Sequence, residues 1–216
     1  MNTNTTTAAT TTTDLDLNLT TTTDLAVVEK TALDRLQKSA AKDDLDDFLR
    51  GARRSLLLID TSSSMTTLTR SGRSRIDHLR EIVRQLRAER NVPTAAFGRF
   101  LNEDGGYCTV RIVDTVPSPA GMTPLADAID FGRREGANHL VVIFDGEPDS
   151  ETGAMASAKA FGHPIDVFFV GDPGGNGEQF AQHLAEMTGG TFGTADLGRQ
   201  AKQLTAKIAG LLGDGQ

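Results

Sequence analysis

The stretch Ser55-Leu-Leu-Leu-Ile59-Asp60-Thr-Ser62-Ser-Ser64-Met65 decides the fold. Leu56 to Ile59 is an unbroken apolar run of strand length. Such a run suits a strand covered by helices on both faces, because a strand with one wet face alternates apolar and polar residues. The run stops at a carboxylate followed by small hydroxyl residues, which favour a turn over a continued strand. A buried strand that ends in a cluster of oxygen donors is the unit from which the rest of the chain is read.

Working outward, the alternation of strand and helix repeats. Arg75 to Arg90 reads as a helix, with Ile76, Leu79, Val83 and Leu86 on one face and Arg73, Arg80, Arg84 and Arg87 on the other. Thr94 to Phe100 and Cys108 to Val113 read as strands parted by the turn sequence Asn102-Glu-Asp-Gly-Gly106. Pro124 to Gly132 reads as a helix with Thr123 as its cap and Pro124 at its first position. His139 to Phe144, Ile165 to Val170 and Thr191 to Thr194 follow as strands, with helices over Glu151 to Phe161, Gly177 to Met187 and Gly198 to Leu212. Six short strands interleaved with helices predict an α/β fold: three layers around a doubly wound, mostly parallel six-stranded sheet.

The amino-terminal part differs in composition. Residues 1–24 hold twelve threonines, no Lys or Arg and only isolated leucines, a composition that cannot bury enough apolar surface to offset the entropy of ordering, so a disordered Thr-rich tail is expected. Residues 25–52 carry Leu25, Val28, Leu36, Leu45, Phe48 and Leu49 at mostly helical spacing and read as a helical extension, leaving 53–214 as the main domain. The 29 acids exceed the 22 bases, giving a net charge of -7, which argues against nucleic acid as the partner. No segment has the apolar length of a membrane helix. A single cysteine, Cys108, and no secretory pattern lead to the expectation of a reducing, cytoplasmic setting.

In an open doubly wound sheet, ligands bind beyond the carboxyl ends of the strands. Three polar segments fall at such positions or at a helix start: Asp60-Thr-Ser62-Ser-Ser64, Gly121-Met-Thr123-Pro124-Leu125 and Asp145-Gly-Glu147-Pro-Asp149. Their donors are all oxygen, which suits a hard divalent cation, Mg2+ or Mn2+. Ser62 and Ser64 on an irregular turn can point their hydroxyls the same way, Thr123 can add a third oxygen, and Asp60 and Asp145 can accept hydrogen bonds from bound water or hydroxyls. Neutral ligands leave the ion electron-poor, so it draws a carboxylate from outside.

The conjunction of LLLID with DTSSSM, GMTPL, FDGEPD, and the late IDVFFVG and LAEMTGG resembles a von Willebrand factor type A domain with its metal-ion-dependent adhesion site, over roughly Arg53 to Leu212. The resemblance implies a Rossmann-like fold, places the metal at Asp60, Ser62, Ser64, Thr123 and Asp145, and implies an adaptor whose ion is completed by an Asp or Glu of a partner protein. Bacterial and phage members of this style often accompany AAA+ ATPases or stress-response and tellurite-resistance assemblies. The chain departs from frequent family usage at Ser63 and Met122, where Gly is common.

Two other classes remain open on the residues alone. Glu147 and Asp149 could join Asp60 and Asp145 in a carboxylate cluster for phosphoester hydrolysis, although Ser62 stands where phosphatases of the haloacid-dehalogenase type want a second acid. A structural subunit whose Thr-rich tail engages an assembly is the other. The arginine row reads as a solvated face, with a groove for an acidic partner as the alternative. His78, His139, His163 and His183 read as structural or exposed, and Cys108 as packed core.

Overall fold

The computed structural model describes residues 53–89, 92–102 and 104–213; the expectations for residues 1–52 lie outside them. Six strands, β1 (Ser55–Asp60), β2 (Thr94–Leu101), β3 (Tyr107–Ile112), β4 (His139–Phe144), β5 (Ile165–Phe169) and β6 (Phe192–Thr194), form one sheet in the order β3-β2-β1-β4-β5-β6. All neighbours run parallel except β2 and β3, which pair antiparallel as a hairpin. Among the described residues five α-helices accompany them: α1 (Arg75–Glu89), α2 (Leu125–Arg134), α3 (Glu151–Phe161), α4 (Asn176–Thr188) and α5 (Leu197–Gly213).

Strand periodicity sorts the core into two layers. Leu56, Leu58, Leu140, Val142, Phe144, Val167 and Phe169 face α2, α3 and α4, meeting Ile129, Ala158 and Leu184. The alternate residues Leu57, Ile59, Val141, Ile143 and Phe168 face α1 and α5, meeting Leu79, Val83, Leu86, Leu204 and Ile208. Both faces of β1 and β4 are dry, which is why those strands read as continuous apolar runs instead of alternating ones. Strand order reverses between β1 and β4, so the loops after Asp60 and after Phe144 leave the sheet side by side at its carboxyl edge.

Two expectations need correction. Thr123 does not cap α2: Pro124 takes the cap position with φ -77° and ψ 62°, and the helix starts at Leu125. The physical reason is competition, because the backbone of Thr123 is held by Asp149, whose Oδ1 accepts the Thr123 N–H at 2.6 Å and whose N–H donates to the Thr123 carbonyl at 3.0 Å. The arginine row is also less free than a solvated face. Arg80 donates to the carbonyls of Val116 and Pro117, and Arg87 to that of Val113 and to Asp114, so both clasp the connection that follows β3.

The amino edge of the sheet carries a buried polar ladder. His139, at the start of β4, places Nδ1 2.7 Å from the Ser55 hydroxyl and Nε2 2.7 Å from Asp166 Oδ2 on β5. Asp166 Oδ1 accepts the N–H and the hydroxyl of Thr191, at 2.7 and 2.9 Å. Burial pushes the Asp166 carboxyl up, yet the bonds from His139 and Thr191 outweigh it and hold the group below its ordinary value. An ionised Asp166 only accepts, so the Nε2–H of His139 donates to it, while Nδ1 and the Ser55 hydroxyl make the second bond of the ladder. His78 is also buried, in contact with Thr69 and Ser71, while His163 and His183 are exposed. Cys108 is half-buried against the α1/α5 layer.

Candidate metal centre

Three loops at the carboxyl edge build the site. The first leaves β1 at Asp60 and winds through a 3-10 turn, Ser63–Thr66, pinned by Met65, which is fully buried in the α1/α5 layer. Asp60 Oδ1 accepts the Ser62 N–H at 2.6 Å, folding the turn back over the strand end. The turn brings Ser62 Oγ and Ser64 Oγ to 2.8 Å from each other, the common direction expected of alternate serines on an irregular turn. Ser64 donates to Asp145 Oδ1 at 2.5 Å, so the Ser62 hydroxyl is the donor toward Ser64.

The loops are tied to each other pairwise. Ser63 N–H donates to the Gly121 carbonyl at 3.0 Å, linking the first loop to the one that carries Thr123. Thr123 and Asp149 exchange the two bonds already described, linking that loop to the one after β4. Ser64 to Asp145 closes the triangle. Gly121 is required here, since it sits at φ +81° and a Cβ would lie 2.6 Å from Arg99 Cβ.

The structure therefore gathers loops bearing all five predicted residues at one edge. Asp60, Ser62, Thr123 and Asp145 are buried, and Ser64 is exposed, so the site is open toward solvent on the Ser64 side. Asp60 Oδ2 is buried and has no hydrogen-bond partner among the described residues. Burial, offset in part by the Ser62 amide and reinforced by repulsion from Asp145, pushes the Asp60 carboxyl up to about 8. A buried carboxylate oxygen without a donor is unfavourable in itself and is relieved by a cation. With two carboxylates, three hydroxyls and no nitrogen or sulfur donor, this set fits a hard ion that keeps some of its water, Mg2+ or Mn2+, and not zinc. Among the described residues no three His, Cys, Asp or Glu side chains gather into a group that could hold a metal ion, so the candidate rests on three hydroxyl residues beside two carboxylates.

One residue in contact with the candidate centre escaped the sequence reading. Arg75, the first residue of α1, is buried; its Nη1 lies 2.9 Å from Asp145 Oδ2 and its Nη2 2.8 Å from Asp172 Oδ1. A small turn delivers it: Leu68 bridges Ser74, and the Arg75 N–H donates to the Thr67 carbonyl at 3.0 Å. No signal in the neighbouring sequence marks it, because its partners lie 70 and 97 residues away.

No family model matches the chain, and no curated protein matches it. Among solved structures, a von Willebrand factor type A protein from Catenulispora acidiphila matches with a TM-score of 0.51 and 13% identity, covering 73% of this chain and 42% of that one. The RO (RSR) protein of Deinococcus radiodurans matches with a TM-score of 0.39 and 17% identity, covering 74% of this chain and 34% of that one. The chain thus spans less than half the length of either. With no helix long and apolar enough to cross a membrane among the described residues, what the first likeness shows is the architecture: a von Willebrand factor type A fold, three-layered around a mostly parallel six-stranded sheet.

Proposed function

We propose that this chain is a metal-dependent protein-binding module, an adaptor that captures a partner's Asp or Glu through Mg2+ or Mn2+ held by Asp60, Ser62, Ser64, Thr123 and Asp145. The observation that carries the reading is Asp60 Oδ2, buried with no hydrogen-bond partner among the described residues, on the loop that also carries the Ser62 and Ser64 hydroxyls and is tied to the Asp145 carboxylate. Hydroxyl ligands donate little charge, so an ion held by them remains a strong Lewis acid and favours an anionic oxygen from outside. The opening on the Ser64 side gives that oxygen a route. Large assemblies that present an acidic loop, including the AAA+ ATPase and tellurite-resistance systems suggested by the sequence resemblance, are the settings in which such an adaptor would work.

Of the two additional carboxylates that phosphoester hydrolysis would recruit, Glu147 and Asp149, the second gives its Oδ1 to the Thr123 amide, which favours binding over hydrolysis. The test is affinity capture with Mg2+ or with chelator, using wild type and Thr123→Ala. The adaptor reading expects partners retained with Mg2+ and lost both with chelator and in Thr123→Ala, whose melting temperature without metal stays at the wild-type value. Identical capture in all conditions refutes it, and turnover of a generic phosphoester that disappears in Asp60→Asn supports the hydrolase instead.

A further inference from the structure

Arg75 is an unusual neighbour for a cation site. Its side chain is 10% exposed, and Asp145, which it grips at 2.9 Å, is fully covered. Its second arm reaches Asp172, whose own side chain is 94% exposed. The chain is built to bring that pair together. Gly171 packs so closely on the loop after β4 that a Cβ would stand 2.0 Å from the Asp145 carbonyl oxygen, and this approach sets Asp172 beside the guanidinium.

The charges have a direct consequence. Asp145 uses Oδ1 for Ser64 and Oδ2 for Arg75, so its formal charge is already balanced inside the protein. A divalent ion arriving beside Asp145 meets a fixed positive charge that cannot be deprotonated and has little room to leave. Repulsion at such range, with little water between, weakens ion capture. An incoming carboxylate reverses the balance, adding a negative charge that both the ion and the guanidinium attract. By linkage, the ion then strengthens carboxylate binding by the same factor as the carboxylate strengthens ion binding.

We propose that Arg75 is a resident competitor of the ion, holding Asp145 in the ion-free protein so that filling of the centre depends on an acidic partner. The proposal rests on the metal-dependent reading above and deepens it: the module is weak for metal alone and strong for metal and carboxylate together. Asp172 moderates the effect, because it draws part of the guanidinium's charge away from Asp145.

Mn2+ alone, titrated calorimetrically into the full chain, tests this. Arg75→Gln is expected to bind Mn2+ about tenfold more tightly than wild type, and Asp172→Asn about threefold more weakly. Arg70→Gln, which removes the same charge from an exposed position in the same turn, is expected to stay within about twofold. The rise in melting temperature on adding Mn2+ should be larger in Arg75→Gln than in wild type. Unchanged or weaker Mn2+ binding by a folded Arg75→Gln overturns the proposal while leaving the metal site standing. Should Arg75→Gln fail to fold, Asp172→Asn decides, and unchanged or tighter binding there overturns it. Absence of Mn2+ binding in both wild type and Arg75→Gln removes the metal reading, and this inference with it.

Discussion

Asp60 and Asp166 are buried carboxylates on the same sheet, at opposite ends of its parallel strands, and they have opposite fates. Asp166, at the amino edge, has both oxygens filled by His139 and Thr191, with Arg53 Nη2 3.6 Å away, and its carboxyl sits below the ordinary value. Asp60, at the carboxyl edge, has one oxygen on the Ser62 amide and no hydrogen-bond partner for the other among the described residues, and its carboxyl is pushed up to about 8. A satisfied buried acid stabilises the protein by itself. An unsatisfied one stabilises it only when something from outside arrives, and that asymmetry separates the scaffold edge from the edge that carries the candidate site.

The largest expected effect breaks the satisfied edge. Asp166→Ala leaves the buried His139, and the N–H and hydroxyl of Thr191, without their acceptor, and urea unfolding should show a loss of about 3–5 kcal/mol. At the other edge the sign inverts. Asp60→Asn removes the need to bury an ionisable group, so the metal-free protein should gain about 1–2 kcal/mol at neutral pH, while losing all response to the ion. Wild type with Mg2+ at ten times its dissociation constant should gain about 1.4 kcal/mol, measured as a shift in the urea midpoint. Ser55→Ala, which deletes only the outer hydrogen bond of the ladder, should cost about 1 kcal/mol.

Acidity sharpens the same contrast. Asp166 is depressed in the folded state, so the unfolded chain takes up the proton first on acidification: the stabilisation is complete above the free value of 3.8 and vanishes as the pH falls through the lower folded value. Asp60 is raised, so the unfolded chain ionises near 3.8 while the folded chain stays protonated toward about 8, and metal-free stability declines as pH climbs across that interval. Urea melts with chelator across this range should show a falling limb in wild type that flattens in Asp60→Asn and persists in Asp166→Asn.

Much of the fold was legible because burial on both faces writes itself as unbroken apolar runs: Leu56 to Ile59 and His139 to Phe144 could be little else. The loops that carry Asp60, Ser62, Ser64, Thr123 and Asp145 were legible because each segment follows a strand end or precedes a helix start. Arg75 was not, since its partners Asp145 and Asp172 lie 70 and 97 residues away and nothing local distinguishes an arginine that turns inward. The misplaced cap at Thr123 has the same origin: local preference favoured a Thr-Pro start, and a distant contact with Asp149 took the backbone first.

The ties among the three loops have one more implication. Two of them run through backbone groups of Ser63, Gly121 and Thr123, and none uses the Thr123 hydroxyl. Architecture and grip are thereby separable: under the proposed reading, a chain that loses the single oxygen of Thr123 would keep its outline and forfeit an ion ligand, a shape-matched decoy for the wild-type surface.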